Sequence, residues 1–111
     1  MTKTTLKVIL ESPYSGNIKK NVKYARLCVK DSILRGESPL ASHLLYTQEG
    51  ILNDEKKSER EIGVAMGLEW LPSADLQVFY TDYGMSKGMK EAEAIGEKNG
   101  ITRVYRKLFI R

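Results

Sequence analysis

The sequence predicts an α/β fold of the flavodoxin or Rossmann-like type: a small, doubly wound, mostly parallel sheet of four to five strands with helices on both faces. Short apolar runs with β-branched residues alternate along the chain with longer stretches in which apolar residues recur at helical spacing. Such alternation is typical of βαβ units, whose crossovers are right-handed. A length of 111 residues supports one core only, so residues 1–111 are expected to form a single domain.

The first strand and the first helix are predicted over residues 6–11 and 18–34. The strand is an apolar run that ends at a turn containing Pro13 and Gly16. Gly36 is expected to end the helix. Apolar residues at helical spacing predict the buried face of this helix, which consists of Ile18, Val22, Ala25, Val29 and Ile33.

The rest of the chain continues the alternation. Strands are predicted over residues 39–45, 76–80 and 101–109, helices over residues 55–69 and from Ser86 to about residue 100, and loops over residues 47–54 and 81–85. Ser86 is a good N-cap for the last helix. The expected buried face of the middle helix consists of Ser58, Ile62, Ala65 and Met66.

The composition excludes several classes of protein. No apolar run approaches the roughly 20 residues that span a bilayer, and the first ten residues are too polar for a signal peptide. Cys28 is the only cysteine and His43 the only histidine, which excludes an intramolecular disulfide and a metal site rich in these ligands. Cys28 lies among apolar residues and is expected to be buried and inert. We therefore expect a cytoplasmic protein (in the host cytoplasm if a phage encodes it) with no cofactor, metal or membrane partner.

The net charge of +4 does not by itself indicate a nucleic-acid partner. Basic residues are spread along the chain, and their one concentration is the tail, where they alternate with apolar residues. This pattern predicts a strand with one solvated face, and a bound phosphate is another use of a modest positive charge. The tail residues concerned are Arg103, Arg106, Lys107 and Arg111.

In a doubly wound parallel sheet, ligands bind beyond the carboxyl ends of the strands. Polar or glycine-bearing segments lie at or just after the ends of three of the predicted strands. These segments should meet at that edge of the sheet. We therefore expect a phosphate-bearing small molecule there. The candidate ligand- and phosphate-binding residues are Ser12, Ser15, Gly16, His43, Asp82, Ser86, Gly88 and Met89.

The start of the last helix carries the sharpest of these signals. Ser86 at the N-cap and Gly88 in the first turn leave free backbone N–H groups at the positive end of a helix, where anions bind. Glu91 follows at the margin of the apolar face, where a partly desolvated carboxylate could attack a sugar anomeric carbon. A second interpretation stays open, in which Ser86 only caps the helix and Glu91 pairs with Lys87 or Lys98 on a solvated face.

Three other groups have both a functional and a structural interpretation. Tyr14, at the tip of the first loop, either hydrogen-bonds a ligand or is half-buried in a Pro-initiated turn. His43 needs a carboxylate or a serine beside it for acid–base work and is otherwise a hydrogen-bonded structural residue. Arg60 and Glu61 contribute to the site or form a surface ion pair.

Taken in order, several short motifs make the chain resemble the nucleoside 2-deoxyribosyltransferase-like superfamily, and most closely the small phage and bacterial members near its deoxynucleotide N-glycosidase branch. Each motif is weak alone, and the resemblance depends on their order and spacing over nearly the whole chain. The motifs are Ser12-Pro13-Tyr14, Asn21 and Ala25, Gly36 with Pro39 and His43-Leu44, Arg60-Glu61 with Gly63 and Gly67, Ala74-Asp75, Ser86-x-Gly88-Met89-x-Glu91, and Ala94.

The resemblance implies a nucleotide-binding protein that cleaves or transfers the N-glycosidic bond of a (deoxy)nucleoside 5′-monophosphate. Glu91 stands where the family's glutamate nucleophile attacks C1′. Tyr14 matches the tyrosine that orients the nucleophile. Ser86 and Gly88 match the region that binds the 5′-phosphate.

Two departures from the family pattern keep an alternative open. The glycosidase branch carries an aspartate where this chain has Gly67, and the tail has no obvious match to the residue with which a neighbouring subunit completes the transferase site. The alternative is a non-catalytic binder, a sensor or sponge for a nucleotide-derived signal. Superfamily relatives self-associate, so we expect a homodimer or larger, with apolar surface around Trp70, Leu71 and Pro72.

Overall fold

The computed structural model describes residues 5–109, which contain four strands, four α-helices and a short 3-10 turn. The N-terminal four residues and Arg111 of the basic tail lie outside the described residues. The four strands and the three long helices follow one another in the predicted order, and the short helix α2 is an addition that the sequence did not predict. The order is β1 (Lys7–Glu11), α1 (Ile18–Leu34), β2 (Ser38–Leu40), α2 (Ser42–Leu45), α3 (Lys57–Leu68), the 3-10 turn (Leu71–Ser73), β3 (Leu76–Tyr80), α4 (Lys87–Lys98) and β4 (Thr102–Arg106).

The four strands form one sheet in the order β2-β1-β3-β4, and every neighbouring pair is parallel. Tyr24 and Cys28 of α1 pack on one face of the sheet, while Met89 and Ala92 of α4 pack with Phe79 on the other. The predicted α/β class, with helices on both faces, is therefore confirmed. The strand order reverses between β1 and β3, which is the switch point where sheets of this kind bind ligands.

The buried face of α1 is rotated from the predicted one. Ile33 is 54% exposed, whereas the buried positions are Asn21, Tyr24, Ala25, Cys28 and Ser32. The polar members of this face are tolerated because they are hydrogen-bonded. Asn21 Nδ2, for example, donates to the carbonyl groups of residues 14 and 15. Cys28 is fully buried, as predicted, and burial raises the pKa of its thiol to about 12.

The predicted second strand is wrong beyond Leu40. Residues 42–45 instead form a single helical turn, in which the N–H of Tyr46 donates to the carbonyl of Ser42 at 2.8 Å. This turn directs His43 away from the line of the strand and over the end of β1, where it meets Ser12.

The predicted buried face of α3 is also wrong, because Ile62 and Met66 are each about half exposed. The buried residue of this helix is Gly67, which lies against α2. A Cβ atom at position 67 would lie 2.3 Å from Ser42 Oγ, so a glycine is what allows the two helices to approach. This packing gives a structural reason for a glycine at position 67.

The last strand is shorter than predicted because Asp82 redirects the chain after Arg106. The two carboxylate oxygens of Asp82 accept from the backbone N–H groups of Leu108 and Phe109 at 2.8 and 2.9 Å. Arg106 itself is not solvated, contrary to the prediction for the tail. Its guanidinium makes a buried ion pair with Glu37, with an N–O distance of 2.6 Å.

Candidate functional site

A cavity of about 190 Å³ opens at the carboxyl edge of the sheet, beside the switch point. Ile9 and Glu11 of β1 form its base, and its walls come from α2, the loop before α3, α3 itself and the first turns of α4. Most of the predicted site residues meet here. Those that line the cavity are Ser12, Tyr14, Ser15, His43, Ser86, Gly88 and Met89.

Gly16 and Asp82 lie outside the lining of the cavity. Gly16 has a φ of 96° and makes the turn that starts α1, with its carbonyl accepting from the N–H of Ile18. Asp82 lies on the α1 side of the sheet edge, where it accepts from the Tyr24 hydroxyl at 2.5 Å in addition to holding the C-terminal segment. These two residues were predicted from their place in loops, and the structure gives both a local structural role.

Glu91 also lies outside the cavity, on the exposed side of α4. The helix buries Met89 and Ala92, which are three positions apart and therefore share the face toward the sheet. Glu91 is rotated away from that face. The structure therefore does not bring the candidate nucleophile into contact with the other candidate residues.

The first turn of α4 forms the electropositive end of the cavity. Ser86 Oγ accepts from the N–H of Met89 at 3.2 Å, so Ser86 is the predicted N-cap. The N–H groups of Lys87 and Gly88 have no acceptor within the helix, as is general for a first turn. A Cβ atom at Gly88 would meet nothing within 4 Å, so this turn faces open space. Lys87 and Arg60 of α3 both line the cavity, and neither forms an ion pair with any residue in the described part of the chain.

The base of the cavity carries a carboxyl group that the sequence analysis did not select, that of Glu11. Burial raises its pKa to about 7, partly offset by a hydrogen bond that Gln77 Nε2 donates to Glu11 Oε2 at 3.2 Å. Within residues 5–109 no cation lies close enough to Glu11 to form an ion pair. Strand alternation could have identified this residue, since Glu11 follows Ile9 by two positions and so shares its face.

Gln77 is held in one orientation by its neighbours. Its Nε2 donates both to Glu11 and to the carbonyl of Ala92, at 3.0 Å. Its Oε1 is buried, accepts no hydrogen bond from the described residues, and lies against Gly96. A Cβ atom at position 96 would lie 1.8 Å from that oxygen, so only glycine leaves room for the amide.

His43 has the serine neighbour that acid–base chemistry would require. Ser12 Oγ and His43 Nε2 are 2.7 Å apart, and both residues line the cavity. Burial lowers the pKa of the imidazole to about 4, so the ring is neutral at pH 7. The pair can pass a proton between oxygen and nitrogen or hold α2 against the end of β1. Residues in and just after α2 that were not among the predicted site residues complete this wall, namely Ser42, Tyr46 and Thr47.

A wider open bay of about 490 Å³ adjoins the cavity, and the residues that line both are Tyr14, Thr47, Leu52, Asp54 and Glu59. The bay is acidic, because Glu49, Asp54 and Glu59 all line it. A ligand that extends from the cavity into the bay would therefore pass the carboxylates of Asp54 and Glu59, which line both.

No helix among the described residues is both long and apolar enough to cross a membrane. No curated protein matches the chain. Residues 6–106, most of the chain, match the family described as "Domain of unknown function (DUF7768)". The chain therefore belongs to this family of domains of unknown function.

Proposed function

We propose that this protein binds a nucleoside 5′-monophosphate in the cavity, with the phosphate at the start of α4. One observation carries the proposal: Lys87 and Arg60, from different helices and without ion-pair partners among residues 5–109, line the same cavity as the open first turn of α4. Cations and helix N–H groups together are a strong anion site. The resemblance of Ser86 and Gly88 to a family phosphate-binding region supports the same placement.

The lining of the cavity combines apolar side chains, among them Ile9, Leu68 and Met89, with charged and polar ones, as a nucleotide would require. The cavity is smaller than the ~300–1,000 Å³ typical of small-molecule sites, so a nucleotide would extend into the adjoining bay. Asp54 and Glu59, which line both the cavity and the bay, suit the hydroxyl groups of a sugar, because carboxylates accept from such donors. They would repel a phosphate, which leaves the start of α4 as its place.

Calorimetric titration tests this proposal with nucleosides and their 5′-monophosphates. We expect the monophosphate to bind at least ~10-fold more tightly than the nucleoside, since a charge-assisted contact contributes ~1.5–3 kcal/mol. Gly88→Val fills the space in front of the first turn and should remove that preference, as should Arg60→Gln. Glu91→Gln is the matched control on the exposed side of α4 and should bind normally. Equal binding of nucleoside and monophosphate, or no binding of either, would overturn the proposal.

Cleavage of the N-glycosidic bond is the second candidate function. The observation that favours it is that Tyr14 lines the same cavity as the carboxyl groups of Glu11, Asp54 and Glu59. With Glu91 on the outside of α4, one of these three would have to act as the nucleophile in a retaining mechanism. Incubation with each deoxynucleoside 5′-monophosphate, followed by chromatography for the free base, tests this function. Base release that is lost in one of Glu11→Gln, Asp54→Asn or Glu59→Gln would identify the nucleophile, while binding without release would leave a sensor or sponge.

A further inference from the structure

We propose that Glu11 recognises the base of the bound nucleotide through a neutral carboxyl group, which donates one hydrogen bond to a ring nitrogen and accepts one from the exocyclic amino group beside it. Adenine and cytosine present this pair of groups. The inference rests on the proposed function, because it assigns the base end of the same site.

The surroundings of Glu11 favour the neutral form of the carboxyl. No residue in the described part of the chain forms an ion pair with it, and the apolar side chains of Ile9, Leu68 and Met89 line the same cavity. A buried carboxylate without a cation is costly. A base that enters the cavity would displace the remaining water and increase that cost, so binding and protonation of Glu11 should support one another. The pKa of about 7 places this equilibrium near neutral pH.

Gln77 determines which carboxyl oxygen can carry the proton. Because Gln77 Nε2 donates to Oε2, that oxygen must act as an acceptor. Oε2 keeps a second lone pair for the amino group of a base, and the proton of a neutral carboxyl belongs on Oε1. The amide cannot reverse this assignment easily, since its Nε2 also donates to Ala92 and its Oε1 lies against Gly96.

The resulting pattern is one donor beside one acceptor at the base of the cavity. A basic ring nitrogen is a better acceptor for an acidic O–H than a carbonyl oxygen is, which favours adenine or cytosine over hypoxanthine or uracil. The other charged or ionisable groups that line the cavity are His43 from α2, Asp54 from the loop before α3, Glu59 and Arg60 from α3, and Lys87 from α4, together with the phenols of Tyr14 and Tyr46.

The test compares the parent protein with Glu11→Gln and Glu11→Leu, using AMP as the probe. The parent's Kd for AMP should rise ~10-fold or more between about pH 6 and about pH 8.5. The carboxyl of Glu11 must be protonated to bind the base, and above its pKa this protonation costs free energy. A glutamine offers the same donor and acceptor at every pH. Glu11→Gln should therefore keep the parent's low-pH affinity within ~3-fold and flatten the profile, whereas Glu11→Leu should lose ~10-fold at low pH. The AMP phosphate titrates alike in all three proteins, so differences between their profiles report on Glu11.

IMP supplies the second arm of the experiment, since it carries a ring N–H and a carbonyl at the same edge. The parent should bind IMP at least ~10-fold more weakly than AMP. Equal affinity for the two nucleotides, or a Glu11→Gln profile parallel to that of the parent, would overturn the inference while leaving nucleotide binding intact. Failure of every 5′-monophosphate to bind would instead remove the proposed function and this inference with it. If Glu11→Leu does not fold, the parent and Glu11→Gln profiles decide the question.

Discussion

Gln77 Nε2 lies 3.2 Å from Glu11 Oε2, across the two central strands of the sheet. The register explains the contact: Ile9 pairs with Gln77 and Glu11 with Phe79, so the two side chains are diagonal neighbours on one face. Gly96 of α4 lies against the far side of the same amide. A chain of three residues thus connects the core of the domain to the base of the cavity.

Two alanine substitutions on α4 should therefore act in opposite directions. Gly96→Ala brings a Cβ atom within 1.8 Å of Gln77 Oε1 and should lower the free energy of unfolding by ~1–3 kcal/mol. Gly88→Ala meets nothing within 4 Å and should raise the free energy of unfolding by up to ~1 kcal/mol, because alanine is the better helix former. Urea unfolding of both variants tests the pair. Equal changes in the free energy of unfolding for the two variants would mean that the Gln77 side chain can turn away from position 96.

The stability of the protein should depend on pH through Glu11. The folded state raises the pKa of this carboxyl from 4.5 to about 7, so it holds the proton more tightly than the unfolded chain does. Its favourable contribution is complete below about pH 4.5 and is lost as the pH rises toward 7. Compared with Glu11→Gln, which cannot titrate, the parent should lose up to ~3 kcal/mol of stability across this window. Urea unfolding of the two proteins at about pH 5 and about pH 8 measures the change.

His43 should produce the opposite dependence over an overlapping range. Its folded pKa is lowered from 6.5 to about 4, so its contribution is present above pH 6.5 and is lost as the pH falls toward 4. The pH dependences of stability due to Glu11 and to His43 partly cancel in the parent protein, so each must be measured with a variant of that residue. His43→Gln should become more stable relative to the parent on acidification. If the difference in free energy of unfolding between His43→Gln and the parent does not change with pH, the imidazole of His43 is accessible to water.

Glu91→Gln should leave nucleotide binding and any base release unchanged, because Glu91 is on the exposed side of α4 and does not line the cavity. We expect the affinity and the turnover of Glu91→Gln to lie within ~2-fold of those of the parent, because a surface substitution that contacts nothing at the site has only a small effect. Calorimetry and chromatography of the released base provide the two readouts. A loss of turnover by powers of ten at unchanged affinity would restore Glu91 as the nucleophile and require α4 to rotate on binding.

The sequence was sufficient to predict the order of the four strands and the three long helices, the Ser86 N-cap and the edge of the sheet where the cavity lies, but not the short helix α2. Those features depend on local chemistry, namely turn residues, helical spacing and the geometry of parallel sheets. The buried faces of α1 and α3 were less predictable. Asn21 and Ser32 are buried because hydrogen bonds to the loops that flank α1 satisfy them, and Ile62 is half exposed, so apolar spacing alone gave the wrong rotation.

The site was partly predictable for the same reason. Tyr14, Ser86 and Gly88 could be predicted because they lie in a loop or at the start of a helix, and the residue types typical of both can be recognised in the sequence. Glu11 shares a strand face with Ile9, a pattern that the sequence contains but that does not show which face meets the cavity, and only the packing of α3 decides that Arg60 contributes to the site. The position of Glu91 shows the limit of spacing arguments, since one residue along a helix is a rotation of about 100°.

The outer side of α3 gives the last prediction, which concerns self-association. Leu71 is fully buried, so the apolar surface expected around it reduces to Trp70 and Pro72. Ile62 and Met66 extend that surface along α3, each about half exposed and one helical turn apart. The ring of Trp70 is fixed, because its Nε1 donates to the Tyr46 hydroxyl at 3.0 Å.

We expect a dimer or larger assembly at micromolar concentration, and Ile62→Glu should dissociate it into folded monomers. In a two-fold interface each substitution occurs twice. Burial of even one isoleucine side chain contributes ~1.5–3 kcal/mol, so the dissociation constant of the dimer should rise at least ~10-fold. Leu34→Glu is the matched control, because Leu34 is 75% exposed at the end of α1, away from α3. Sedimentation equilibrium distinguishes the outcomes. A parent that sediments as a monomer would rule out the assembly, and dissociation by Leu34→Glu alone would move the interface to α1.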